Sequence, residues 1–217
     1  MTKILSIAQQ KGGTGKTTIT AHLAVALSQK GYKIAIIDID PQGSLTKWYQ
    51  LREKKFGKGY TALNFTTSSG WRVENVISGF RNKIDYVIID SPPHTETESK
   101  SAIRASDLVI IPMQPSPTDL WATAATTEFA RSENVPAKIL LTRYNHNSKL
   151  SKEIIKQLDA DLFNSIIGNR VAFSSCFLDG TTVTESDPSS QASKEIKAFV
   201  EEVLTVTENC EVELEKA

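Results

Sequence analysis

The sequence predicts an α/β fold: a single domain with a mostly parallel, twisted sheet flanked by helices. Three observations point there. Short β-branched runs alternate with stretches of helical periodicity, the pattern of successive βαβ units. Several runs, such as Ile34-Ala35-Ile36-Ile37 and Val87-Ile88-Ile89, are apolar throughout, as strands covered on both faces must be. The length of 217 residues suits one domain with a sizeable core.

Taken in order, strands are expected over residues 3–8, 33–38, 85–90, 108–113 and 138–142. Helices are expected over 16–30, 73–82, 98–105, 119–133, 151–159 and 192–206. Gly31 closes the first helix, and Pro41, Pro92, Pro93, Pro112, Pro115 and Pro117 punctuate the later segments. No repeat, linker or low-complexity tract interrupts the chain. Residues 1–207 are assigned to the domain and residues 208–217 to a frayed acidic tail.

A hydrophobic fraction of 40% and a charged fraction of 23% are those of a soluble globular protein. No run reaches the roughly 18 apolar residues that span a bilayer, and the N-terminus is too short in apolar residues for a signal peptide. A cytoplasmic protein is expected. Cys176 and Cys210 lie far apart without a CxxC spacing or a His cluster, which excludes a disulfide scaffold or zinc site. One buried thiol and one tail thiol is the expectation. The formal charge is zero, but six of the 25 acids and one of the 25 bases fall in the last 17 residues. The body therefore carries 24 bases against 19 acids, a net of +5. That balance permits contact with nucleic-acid phosphates without requiring it.

The chemistry begins at Gln9-Gln10-Lys11-Gly12-Gly13-Thr14-Gly15-Lys16-Thr17-Thr18, between a strand and a helix. Gly12, Gly13 and Gly15 let the backbone approach phosphates, and the helix opening near Lys16 adds its positive end. Lys16 is positioned to neutralise β/γ oxygens, and the Thr17 hydroxyl to bind Mg²⁺. Thr14 and Thr18 complete the loop. The strict phosphate-loop pattern places glycine at residue 10, where this chain has Gln10; it carries Lys11 instead.

With that lysine, Lys11-Gly12-Gly13-Thr14-Gly15-Lys16-Thr17-Thr18 resembles the deviant Walker A box of the ParA/MinD family of P-loop ATPases. The small plasmid-type partition ATPases are the branch it is most similar to. The resemblance implies ATP and Mg²⁺ as ligands, and an early lysine that reaches the nucleotide of a second subunit in an ATP-dependent homodimer. Asp38 and Asp40 end the second strand in Asp38-Ile39-Asp40-Pro41-Gln42-Gly43, alternate residues of an extended backbone that face one way. By resemblance Asp40 orients or deprotonates the attacking water, and Asp38 supports the metal through water. Tyr86-Val87-Ile88-Ile89-Asp90-Ser91-Pro92-Pro93 reads as a Walker B strand, with Asp90 holding a Mg²⁺-bound water. The expected catalytic set is Lys11, Lys16 and Asp40; the expected metal set is Thr17, Asp38, Asp40 and Asp90.

The three motifs come in family order over the first 93 residues, and matching strand patterns extend the resemblance through about Thr142. Trp121, after the Pro-rich turn 114–118, is either an interface anchor or a core residue. Asp119 either caps its helix or partners the other subunit's Lys11. Thr142 and Arg143 end the last clear strand, where this family seats the base; for Arg143 a plain surface position stays open. Arg104, Lys149, Lys152, Lys156, Arg170, Lys194 and Lys197 are candidates for a DNA patch or for ordinary solvated faces. A phosphate loop at residue 11 leaves no room ahead of it for a helix-turn-helix, so DNA contact is expected to be non-specific. The acidic tail carries the wrong charge for an anionic membrane.

The resemblance thus implies a partition or positioning ATPase, nucleoid-associated when ATP-bound, whose hydrolysis is stimulated by a centromere-binding or adaptor protein. The alternatives are an ATP-dependent metabolic enzyme on the same fold, or a nucleotide-switched positioning protein that does not bind DNA. Lys11 together with Asp-Pro-Gln-Gly favours the first reading.

Overall fold

A computed structural model describes residues 1–93, 96–145 and 147–214, without the side chains of residues 96 and 210–214. The seven described strands form one sheet in the order β3 (Asn64–Thr67), β2 (Ile34–Asp38), β4 (Tyr86–Asp90), β1 (Lys3–Ile7), β5 (Leu108–Met113), β6 (Ala137–Tyr144), β7 (Leu162–Gly168). Every pairing is parallel. The helices are α1 (Lys16–Gln29), α2 (Ser44–Phe56), α3 (Val73–Phe80), α4 (Glu96–Arg104), α5 (Pro117–Ser132), α6 (Lys149–Ile155), α7 (Ala172–Leu178), α8 (Val183–Ser186) and α9 (Gln191–Leu214).

Alternate strand residues feed opposite cores, because successive side chains leave a strand on opposite faces. Leu5, Ile7, Ile34, Ile36, Ile88 and Ile110 pack with α1 and α9 residues such as Leu23, Leu27, Phe199 and Val203. On the other face Ile4, Ala35, Ile37, Val87 and Ile89 meet Val73 and Ile77 of α3. Val109, Ile111 and Ile139 meet Ala130 of α5 and Ile154 of α6. The chain leaves β1 toward β2 on one side and later returns to β5 on the other. The order therefore reverses at β1, and the loop after it opens onto the crevice where such sheets bind ligands.

The five expected strands are present, and two edge strands join them. β3 reads Asn-Phe-Thr-Thr and is only partly buried, so it lacks the apolar run that marks a central strand. β7 pairs with β6 through register shifts, and its pattern is irregular to match. Helix ends move modestly: α5 begins at Pro117 and α6 at Lys149. α9 continues to Leu214, beyond the end expected at residue 206.

α2 was not among the expected helices, and it carries Arg52 at a core position beside Leu45 and Trp48. The structure resolves the conflict by pairing. Arg52 is 4% exposed, and its guanidinium donates to both Glu185 oxygens (2.9 and 2.7 Å), to Thr61 O and to Gly180 O. Glu185 in turn closes a capping box with Thr182 at the start of α8. A bidentate pair satisfied on all sides makes a buried guanidinium tolerable. It ties α2 to the α7–α8 segment, where Trp48 also donates to Thr181 O.

Cys176 is buried, as expected; the side chain of Cys210 lies outside the described residues. His22 of α1 is fully buried between Thr18 O (2.7 Å), the Cys176 sulfur (3.5 Å) and an edge-on Phe173 ring. Burial lowers its pKa from 6.5 to about 4, with the Thr18 carbonyl and Glu185 opposing. A base whose folded pKa is depressed binds fewer protons folded than unfolded between those values. Stability therefore falls as pH drops from about 6.5 toward 4. Chemical denaturation at stepped pH should show the wild type losing about 1–3 kcal/mol more than His22→Gln across that window. Parallel profiles for the two proteins would contradict a neutral buried imidazole.

Candidate functional site

The loop between β1 and α1 wraps a cradle at the C-terminal edge of the sheet. Gly13 (φ 78°) and Gly15 (φ 103°) adopt left-handed backbone, and a Cβ added at either meets nothing within 4 Å. Backbone conformation therefore requires glycine there, and the space beside the loop is open to a ligand. Gly15 is also the N-cap of α1, and it offers no side chain to the helix end. A helix N-terminus left without a cap and faced by open space suits an anion.

The two loop lysines do different things. Lys16 is 6% exposed, with Nζ folded back onto Lys11 O at 3.2 Å. Burial lowers its pKa, and Asp90 and Asp40 oppose that shift. Lys11 turns instead to the start of α5. Its Nζ donates to Asp119 Oδ2 at 2.6 Å and to Thr118 Oγ1 at 2.9 Å, with about a third of the side chain exposed. Gln114 donates to Gly13 O at 2.8 Å and clips the loop to the end of β5.

Asp119 corrects one expectation. It does not cap α5: Ser116 is the cap, accepting from Asp119 N, and within the chain the Asp119 carboxylate pairs with Lys11. Its Oδ2 also accepts from the Ser116 hydroxyl, while Oδ1 is buried and accepts no hydrogen bond among the described residues. Trp121 is 69% exposed, which removes the core reading.

The acids gather where β2 and β4 end side by side, Asp38 opposite Asp90 in register. Asp90 is fully buried; Thr17 Oγ1 donates to one oxygen at 2.8 Å and Thr20 Oγ1 to the other at 3.1 Å. Burial lifts its carboxyl to about 7, Asp38 adds to the lift, and Thr17, Thr20 and Lys16 hold it down. Asp38 is 2% exposed and accepts from Asp40 N at 3.1 Å, Thr46 N at 3.0 Å and Thr46 Oγ1 at 2.6 Å. Burial raises its pKa as well, with the Thr46 hydroxyl the foremost opposing contact. Asp40 is half-buried and accepts from Gln42 N at 2.9 Å, inside a tight turn.

Beside the loop lies a cavity of about 220 Å³ whose wall includes Thr14, Thr18, Thr142 and Arg143. Thr142 is buried, and its hydroxyl donates to Thr14 O at 2.9 Å, bracing the loop. Arg143 is exposed and held in left-handed backbone, φ 49°. The wall also includes Asn169, Arg170, Val171, Phe173 and Ser174; of these only Arg170 stood out in the sequence, as a basic residue, and nothing local linked it to the loop. Only β7 reaching the sheet edge brings it across. Thr14 Oγ1 is buried with no hydrogen-bond partner among the described residues. An orphaned hydroxyl, a glycine cradle and hydroxyl–carboxylate pairs form a donor set that fits a phosphorylated ligand with a hard, oxygen-loving cation.

Of the basic candidates, Arg104 is paired with Glu133, Arg170 with Glu195, and Lys197 with Pro188 O. Lys149, Lys152 and Lys156 stand exposed along α6.

Residues 5–183 match the CbiA family model, described as the CobQ/CobB/MinD/ParA nucleotide binding domain. The chain belongs to this family. Among curated relatives it is 28% identical over 210 residues to the maintenance of carboxysome distribution protein A of Halothiobacillus neapolitanus, covering 92% of this chain and 95% of that one. It is 27% identical over 235 residues to the chromosome-partitioning ATPase Soj of Thermus thermophilus, covering 92% and 94%. The solved septum site-determining protein MinD of Pyrococcus horikoshii, complexed with Mg-ADP, superposes with a TM-score of 0.80 at 23% identity, covering 94% and 96%. That likeness shows that the two chains share one fold. No helix among the described residues is long and apolar enough to cross a membrane.

In this CbiA-family site Lys16 is the cation enclosed by the cradle. Lys16→Ala should weaken nucleotide binding by at least about 100-fold in calorimetry, the loss of a charge-assisted contact in a buried site. Unchanged affinity would remove the cradle from the functional site.

Proposed function

We infer that this chain is an Mg²⁺-dependent ATPase that works as a positioning switch. ATP brings two copies together, the dimer holds non-specific DNA, and a partner protein triggers hydrolysis and release. The observation that carries this reading is the division of labour between the lysines. Lys16 is enclosed in the cradle, whereas Lys11 turns to Asp119 and Thr118 of α5 and stays about a third exposed, a position from which it would reach a second subunit.

Thr17 and Asp90, with Asp38 and Asp40 nearby, would hold Mg²⁺, whose chemistry there is to neutralise phosphate oxygens. Gly12, Gly13, Thr14, Gly15 and Thr18 would cradle the phosphates, and Thr142 and Arg143 would border the base. Hydrolysis forms a bond from water oxygen to the γ-phosphorus and breaks the one to the bridging oxygen, leaving ADP and phosphate. Asp40 orients the water and takes up its proton. Lys11 from the second copy balances charge on the transferring group, as an arginine finger does. The names of the carboxysome-distribution and chromosome-partitioning relatives support cargo positioning, and the partner is then a centromere-binding or adaptor protein. Such a switch is cytoplasmic and nucleoid-associated while ATP is bound.

Two variants separate assembly from chemistry. In light scattering with ATP, Lys11→Ala should bind nucleotide yet remain monomeric, whereas Asp40→Ala should form a dimer that persists because it cannot hydrolyse. A Lys11→Ala protein that dimerises and turns over normally contradicts the switch. The wild-type dimer should hold unrelated duplexes equally. Its affinity should fall with salt at a slope of about −0.9 per phosphate contact, and Lys149, Lys152 and Lys156 changed together to Glu should flatten that slope. Absence of retention at low salt would leave the ATPase standing and remove DNA as its track.

A further inference from the structure

α2 begins without a cap of its own. Its N-cap is Gly43, in left-handed backbone (φ 62°) and with no side chain to accept from the first turn. The missing acceptor comes from β2 instead. Asp38 Oδ2 takes both the backbone N–H of Thr46, in that first turn, and the Thr46 hydroxyl, at 3.0 and 2.6 Å. A buried carboxylate at a helix N-terminus is favoured by the helix dipole as well as by the bonds. The other oxygen, Oδ1, accepts from Asp40 N. One carboxylate therefore fastens both ends of the segment that carries Asp40. Between them the turn is closed by Gln42 N on Asp40 Oδ1 and Gly43 N on Asp40 O at 2.9 Å. The rest of α2 is anchored through Arg52 and Trp48, so Thr46 leads back to a fixed element.

We propose that Thr46 is a positioning residue for hydrolysis: through Asp38 it sets where Asp40 stands. This rests on the role given above to Asp40. Thr46 itself touches no reacting atom. Its hydroxyl fixes the rotamer of Asp38, Asp38 fixes the Asp40 main chain, and Asp40 meets the water. Without the hydroxyl, Asp38 keeps both backbone donors, so the fold is retained while the aim of the turn loosens.

The test compares Thr46→Val, which keeps shape and the N–H but removes the hydroxyl, with Thr46→Ser, which restores it. Thr46→Val should keep ATP·Mg²⁺ affinity within about twofold and lower kcat about 10- to 100-fold, the cost of sub-ångström to 1 Å misplacement. KM should change little, and Thr46→Ser should recover most of the rate. Amide hydrogen exchange without nucleotide should rise at residues 40–46 in Thr46→Val and stay unchanged in β2. A Thr46→Val protein with wild-type kcat overturns the proposal, as does one whose exchange rises across the whole domain. The failure of the underlying reading looks different: Asp40→Ala hydrolysing ATP normally would remove the water-orienting role even if the exchange result held.

Discussion

Asp90 is fully buried at the end of a central strand, with another carboxylate opposite it in register. Two acids this close and this dry are costly, and much of the surrounding structure answers that cost. Thr17 and Thr20 reach up from α1 to bond each Asp90 oxygen, which fixes the rotation of α1 against the sheet. Lys16, one residue before Thr17, is thereby drawn into the same enclosure. The phosphate loop is thus held from below by acid–hydroxyl contacts and from the side by Thr142 and Gln114. Its shape follows from compensating Asp90.

Asp38 is relieved differently, by spending its lone pairs on the segment that follows it. Compensation and function coincide there. The bonds that make a second buried carboxylate tolerable also define the path of the Asp40 turn and start α2. Lys11 and Asp119 show the opposite arrangement. Asp119 is wholly buried, one of its oxygens has no partner among the described residues, and its charge rests on a lysine that is about a third exposed. The lysine end of this pair reaches solvent while the aspartate end is dry, so separating the two leaves a buried carboxylate without its counter-charge.

The sequence alone determined the parallel core, the phosphate loop and the acids at the strand ends. These are local signals: an apolar run specifies a doubly covered strand, and glycine spacing specifies a loop that must adopt positive φ. The edge elements were not legible, because β3 is short and polar and α2 carries Arg52 on its buried face, where periodicity expects an apolar residue. Glu185 and the Gly180 carbonyl, more than a hundred residues away, together with Thr61 O, make that arginine acceptable. The same holds at the site. Asp119, the wall from Asn169 to Ser174, and Thr46 have no motif of their own. They acquire roles because the switch in strand order at β1 brings β5, β7 and α2 around one loop. Residue chemistry could be read from the chain; who satisfies each buried charge was decided by tertiary structure, since hydrogen-bond partners are chosen by proximity in space.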